Sequence, residues 1–176
     1  MTQKPLYEQQ YQNWLDSTII DEASKAELRA ISGNKAEVED RFYQDLEFGT
    51  AEKKKKIGAG TNRMNEYIIA RATDAFAKVI KSFGDEFAAK GVAIAYDCRL
   101  FSKEFSLTAA LVLASHGIKS YVFDALRPTP ELSFAIRRLG AAGGINVTAS
   151  HNPKNYNGYK VYWQEGSQIK DDIANL

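Results

Sequence analysis

Between Gly91 and Trp163 the chain alternates short apolar runs with longer segments of helical periodicity, and nothing else in the sequence restricts the fold as strongly. Val92 to Tyr96 is continuously apolar, introduced by Gly91 and closed by the polar Asp97-Cys98-Arg99. A run that short reads as a strand buried on both faces. Ser102 is placed to cap a helix carrying Phe105, Ala109 and Val112, which stops near His116-Gly117. Ser120 to Phe123 reads as the next strand. Arg127-Pro128-Thr129-Pro130 then turns into a helix, with Thr129 as cap, Pro130 in the first turn, Leu132, Ala135, Ile136 and Leu139 facing inward, and Gly140 as the stop. Gly143-Gly144 opens a further strand that reaches Val147. Strand, helix, strand, helix, strand requires right-handed crossovers and parallel pairing. The predicted fold is α/β: a single three-layer domain with a mixed, mostly parallel sheet between helices.

The last of these strands runs into Thr148-Ala149-Ser150-His151-Asn152-Pro153, and a second apolar run follows from Tyr159 to Trp163. Pro153 removes a donor and biases Asn152 away from helix, while Asn157-Gly158 is a hairpin-turn signal. The expectation is a stiffened loop with Ser150 at its tip and an antiparallel strand beyond it. Ligands of such sheets gather where the strands end, which puts Asp97 to Arg99 and Ser150 to Asn152 on one edge. A hydroxyl there, beside an imidazole and with an ammonium at Lys160, suits nucleophilic chemistry on an anion. Read alone, a Ser-Asn-Pro segment is also ordinary turn chemistry, and Lys160 an ordinary surface residue of a strand.

Upstream, Tyr7, Tyr11, Trp14 and Leu15 fall at helical spacing, a second helix is expected from Asp21 or Glu22 to Ala30, and Asn34 with Glu37 begins a third with Val38, Phe42 and Leu46 on one face. Phe48 to Asn65, with glycines at 49, 58 and 60, reads as a polar loop able to bring backbone donors to an anion. Met64 to about Phe83 is a long amphipathic helix, with Gly84 as its stop. After Trp163 the residues look like a connection that begins a helix.

Charge and cysteine usage narrow the function. With 23 basic against 22 acidic residues the net charge is +1, which argues against a nucleic-acid surface and makes any anion site local. Cys98 is the single cysteine, no apolar run approaches a membrane span or a signal peptide, and a reducing cytoplasm is the expected compartment. Zinc is not expected, because His116 and His151 with one cysteine complete no ligand pattern. Asn146-Val147-Thr148 matches a glycosylation acceptor but falls inside an apolar strand and carries no weight.

The string Thr148-Ala149-Ser150-His151-Asn152-Pro153, continued by Tyr156-Asn157-Gly158-Tyr159-Lys160, resembles the phosphoserine loop of the α-D-phosphohexomutases, in particular the phosphoglucomutase and phosphopentomutase branch. Leu46-Glu47-Phe48-Gly49-Thr50-Ala51, Gly58-Ala59-Gly60-Thr61-Asn62-Arg63-Met64-Asn65 and Tyr96-Asp97-Cys98-Arg99 are similar to further segments of that family, in the family's order. The resemblance implies amino-terminal helices over 1–47 packed on the domain, an α/β phosphoserine domain over 48–165, and in 166–176 a connection to a missing second domain. It implies a phosphoryl exchange between a phosphorylated serine and the hydroxyls of a sugar phosphate, interconverting 1- and 6-phosphates of glucose through a bisphosphate.

On that basis Ser150 is the expected phosphoserine, Lys160 the general acid/base and His151 its catalytic neighbour, with Asn152, Arg99, Arg63 and Lys54 binding phosphate or substrate. Lys54 falls where the family carries an arginine between glycines, here within Glu52-Lys53-Lys54-Lys55-Lys56. Lysine supplies the charge without the planar fork. The implied cofactor is Mg2+, held through the Ser150 phosphate and by an Asp-x-Asp motif that this sequence lacks. Implied partners are the sugar phosphate and further domains of the same enzyme, with no nucleic acid and no membrane, and with self-association of this chain. A phosphopentomutase or phosphomannomutase origin, or a non-catalytic anion-binding or interaction domain, are the alternatives.

Overall fold

Residues 5–44 and 52–169 are described by the computed structural model. Three short helices lead, α1 (Leu6–Asp16), α2 (Glu22–Ala30) and α3 (Lys35–Phe42), followed by strand β1 (Glu52–Lys56), helices α4 (Glu66–Ser82) and α5 (Asp85–Ala89), strand β2 (Val92–Tyr96), helix α6 (Ser102–Ser115), strand β3 (Ser120–Val122), helix α7 (Thr129–Leu139) and strands β4 (Gly143–Val147) and β5 (Tyr156–Trp163). The strands make one sheet in the order β1-β5-β4-β2-β3. β2 pairs parallel with both β3 and β4, and β5 pairs antiparallel with both β4 and β1. Four of the five strands therefore point the same way, and only β5 runs against them.

Each face of the sheet has its own covering. Met64, with Ile69, Phe76 and Ile80 of α4 and Phe105, Ala109 and Leu113 of α6, packs on Ile94, Ile145, Val147, Tyr159 and Val161. On the opposite face Leu132 and Ile136 of α7 pack on Ala93, Ala95 and Tyr162. Each such Leu or Ile contributes roughly 1.5–3 kcal/mol by leaving water. The strand residues under α7 are small because the helix lies close: a Cβ on Gly144 would sit 2.6 Å from the Ile136 Cδ1 atom. Asn65 caps α4 through the amide of Ile68, with Glu66 in the first turn and Lys81 in the last, as the helix dipole favours. The amino-terminal helices form a separate small core of Leu28, Val38, Phe42 and Ala59, against which Tyr11 and Trp14 pack.

Several expectations need correction. Asn157-Gly158 is not a turn but part of β5, with Gly158 opposite Lys54. The chain has already reversed before it, where the Tyr156 amide donates to the Pro153 carbonyl at 3.0 Å, and the buried Asn157 side chain is bound on both sides. The lysine run is no loop: Glu52 to Lys56 is the edge strand β1, templated by β5 rather than by apolar residues of its own. Lysines on an exposed edge also discourage further strand pairing. Thr129 and Ser102 are first helical residues, with Pro128 and Phe101 in the cap positions. The third strand ends one residue early, at Val122, and α5 went unpredicted. After Trp163 the chain turns back along β5, where the Ile169 amide donates to the Val161 carbonyl. The Leu46 to Ala51 segment lies outside the described residues.

Candidate active site

Ser150 stands where β4 ends and the chain crosses to β5, exposed and in the left-handed backbone region at φ 54°. A non-glycine residue takes that conformation only when its surroundings hold it there. Three local bonds hold this one. The Thr148 amide donates to the Gly158 carbonyl at 3.0 Å, the Ser150 amide to Thr148 Oγ1 at 3.1 Å and the Asn152 amide to the Ala149 carbonyl at 3.1 Å. Ala149 and Thr148 are buried, so the outward turn at Ser150 delivers a lone hydroxyl to the surface.

The main clamp comes from another strand end. Arg99 follows β2, and its Nη1 donates to the carbonyls of Pro153 and Tyr156 while Nη2 donates to those of Ser150 and Asn152, at 2.6–3.2 Å. Its side chain is only 13% exposed. Nε lies 3.6 Å from Asp97 Oδ2, so the fork is fully engaged and does not face a ligand. Asp97 is fixed in turn: its Oδ1 accepts from the Arg99 amide and from Ser102 Oγ. Asn157 Nδ2 closes the network by donating to the Leu100 carbonyl and to Ser102 Oγ. These bonds join the carboxyl ends of β2 and β4 to β5 and to the first turn of α6.

Around the hydroxyl, His151 Nδ1 lies 3.3 Å from Ser150 Oγ. Ser150 and Lys160 line one cavity of about 360 Å³ together with Asp97, Arg127, Thr129, Asn146 and Thr148. Lys160 enters it because it pairs with Asn146 across β4 and β5, which puts both side chains on the face that α7 only partly covers. Arg127 lines the same cavity, paired with Glu131 and Asp124. Lys54 sits on that face of β1, opposite Gly158, but is not among the residues lining the cavity. Arg63 is elsewhere. It is 4% exposed, with its guanidinium bonded to Asp40 and Glu37 of α3 and to the Asp40 carbonyl. That pairing holds the Asp40 and Glu37 carboxyls below their usual range, Asp40 mainly through its hydrogen bond from Arg63 and Glu37 mainly through Arg41.

The family model of phosphoglucomutase/phosphomannomutase, alpha/beta/alpha domain I, matches residues 45–176. The chain belongs to this family. Its similarity to the phosphoglucomutase of Staphylococcus epidermidis is 40% identity over 162 residues, covering 92% of this chain and 29% of that one. To the phosphopentomutase of Homo sapiens it is 37% over 166 residues, covering 91% and 27%. A Thermus thermophilus structure classed as a phosphomannomutase superposes with a TM-score of 0.66 at 30% identity, over 75% of this chain and 29% of that chain. The chain thus spans less than a third of the length of these relatives. Domain I of this mutase family is an α/β fold, and the sheet and its flanking helices agree with it.

For this mutase-family domain, sequence reasoning put Asp97 on the right edge without giving it a role, and it missed Asn157, Asn146 and Thr129 as parts of the site. A signal existed for one of them, since Asn146 is a polar residue inside a run that otherwise reads as buried strand. Among the described residues no group of three or more His, Cys, Asp or Glu side chains could hold a metal ion. Asp97 is the one carboxylate lining the cavity, and its Oδ1 is already taken twice. An octahedral Mg2+ site needs more oxygen ligands than that, so the described residues do not make one. No helix among them is long and apolar enough to cross a membrane.

Proposed function

We propose that this chain is the catalytic-serine domain of a phosphoglucomutase-like enzyme, in which Ser150 carries the phosphoryl group exchanged with a sugar phosphate. The single observation that carries this reading is the exposed Ser150 hydroxyl, presented from a clamped left-handed backbone at the mouth of a cavity that also holds Lys160. In the transfer the P–Oγ bond of phosphorylated Ser150 breaks as a bond from phosphorus to a sugar hydroxyl oxygen forms. Lys160 takes the proton of that hydroxyl and delivers it to Ser150 Oγ, and the return transfer runs these movements backwards. His151 and Asn152 position the phosphate. Arg99 serves by holding the loop, and Arg63 by tying α3 to the domain, so neither belongs to the anion set. Lys54 contributes long-range positive charge to the sheet face it shares with Lys160.

Mg2+, implied by the family, would take an oxygen of the Ser150 phosphate, its other ligands coming from a further part of the enzyme. A lone exposed Cys98 fits a reducing cytoplasm. The two relatives named for glucose and pentose phosphates leave glucose 1- and 6-phosphate as the first substrates to try. Two measurements test the reading. Incubation with glucose 1,6-bisphosphate and magnesium should add one phosphate to the chain by intact mass, and Ser150→Ala should add none. A coupled assay with glucose 1-phosphate should show negligible turnover by the 176-residue chain alone. Phosphate uptake that persists in Ser150→Ala would sink the assignment of the serine, and robust metal-dependent turnover would sink the dependence on further domains.

A further inference from the structure

Asn146 lies near the carboxyl end of β4, between Ile145 and Val147, and only 1% of it is exposed. Its Nδ2 donates to Thr129 Oγ1 at 2.8 Å, while its Oδ1 is buried without a hydrogen-bond partner. A buried carbonyl oxygen left without a donor costs about 1–3 kcal/mol. Thr129, half-buried and having accepted that bond, keeps its own proton to donate. Both side chains line the Ser150 cavity. A buried acceptor without a donor and a hydroxyl with a proton to give therefore stand side by side in one wall.

That pairing selects the chemistry of its occupant. A phosphate or carboxylate oxygen could accept from Thr129 but would set its lone pairs against Asn146 Oδ1. An ammonium could donate to Oδ1 but could not accept from Thr129, and Arg127 in the same cavity opposes it. A neutral alcohol satisfies both, donating to one and accepting from the other. Turning the amide over leaves Nδ2 as the unpaired group, which a hydroxyl oxygen also fills; the observed orientation, with Nδ2 on Thr129, is the one that also excludes an anion.

We propose that Asn146 and Thr129 form a hydroxyl subsite in the wall of the Ser150 cavity, taking one alcohol group of a hydroxylated phosphate ester. The phosphate half of that description rests on the reading of Ser150 as a phosphoryl carrier. The subsite orients the ester, fixing which of its remaining oxygens approaches the serine. Its selectivity is for a hydroxyl at that position, because an analogue lacking it leaves the buried acceptor unpaired.

The test is a titration of the ¹⁵N-labelled chain with inorganic phosphate and, separately, with glucose 6-phosphate. The Asn146 side-chain amide pair is assigned through its own backbone and by its loss in Asn146→Leu. Glucose 6-phosphate should move that pair, inorganic phosphate should not, and the sugar ester should bind about tenfold tighter than phosphate, the worth of one net hydrogen bond. In Asn146→Leu the ratio should fall to about one. An Asn146 pair that ignores glucose 6-phosphate, or that phosphate moves equally, overturns the subsite. The backbone amides of Ser150 to Asn152 report separately on the anion: if neither probe moves them, the reading of Ser150 fails, while the Asn146 signal still decides the subsite. Should Asn146→Leu not fold, the wild-type titration alone decides between these outcomes.

Discussion

Arg99 Nη2 donates to the backbone carbonyl of Ser150 at 2.6 Å, so the third residue after β2 holds the third residue after β4 by its main chain and leaves its side chain outside. The same guanidinium takes the carbonyls of Asn152, Pro153 and Tyr156, which makes the serine loop a four-point attachment to one cation. Removing the fork strands several carbonyls at once. Arg99→Ala is expected to lower folding stability by about 2–4 kcal/mol in chemical denaturation. Arg99→Lys keeps the charge but cannot reach four oxygens with a planar fork. It should recover part of the stability while phosphorylation of Ser150 by glucose 1,6-bisphosphate stays at least tenfold slowed. Wild-type phosphorylation rates in both variants would show that the clamp has no part in presenting the hydroxyl.

Gly144→Ala is expected to destabilise the fold by about 1–3 kcal/mol, through overpacking rather than through backbone strain. The new methyl group would meet the Ile136 side chain at 2.6 Å and the Ala93 carbonyl at 3.1 Å, so α7 would have to move away from the sheet. Pairing it with Ile136→Val should recover part of the loss, because the shorter side chain vacates the contact. Thermal melts of the two single variants and the double variant decide this, and simple additivity would refute the contact as the cause.

Acid should expose the cap of α2. Hydrogen bonds from the Ser24 hydroxyl and amide, and from the Tyr67 hydroxyl, hold the Asp21 carboxyl down at about 2. Its folded pKa is below the unfolded value of about 3.9. The contribution of Asp21 is therefore complete above about pH 4 and is lost as pH falls through about 2. Asp21 is exposed, so the contribution is limited to roughly 1 kcal/mol. Asp21→Ala should lower the denaturation midpoint at pH 7, and the gap to the wild type should shrink toward pH 2. A gap that widens on acidification would contradict the assignment.

Self-association should follow from the outer face of α6. Leu107 and Leu111 are 48% and 73% exposed and stand one turn apart on that helix. Adjacent exposed leucines favour a covering partner, and a second copy of this chain is the one available in a pure sample. Light scattering over a range of concentrations should show a mass that rises with concentration, and Leu111→Lys should flatten the rise. A constant monomer mass in the unsubstituted chain would count against it.

Much of this protein was determined by the sequence alone, because its signals are local. The apolar run Val92 to Tyr96, the periodic faces of α4 and α7 and the glycines that stop helices each act within a few residues, and the family's serine string is contiguous. The tertiary structure decided what depended on partners far along the chain. Glu52 to Lys56 has no strand pattern of its own and becomes one because β5 offers an open edge. Asn157-Gly158 has a turn's composition yet lies extended, since the Leu100 carbonyl and the Ser102 hydroxyl at the start of α6 supply acceptors for the asparagine. Two arginines that look alike in sequence part company for the same reason. Arg99 meets the carbonyls of the serine loop and Arg63 meets the carboxylates of α3, each by contacts with residues more than twenty positions away. A guanidinium's role is set by the oxygens that the fold brings to it, and spacing along the chain carries no record of them.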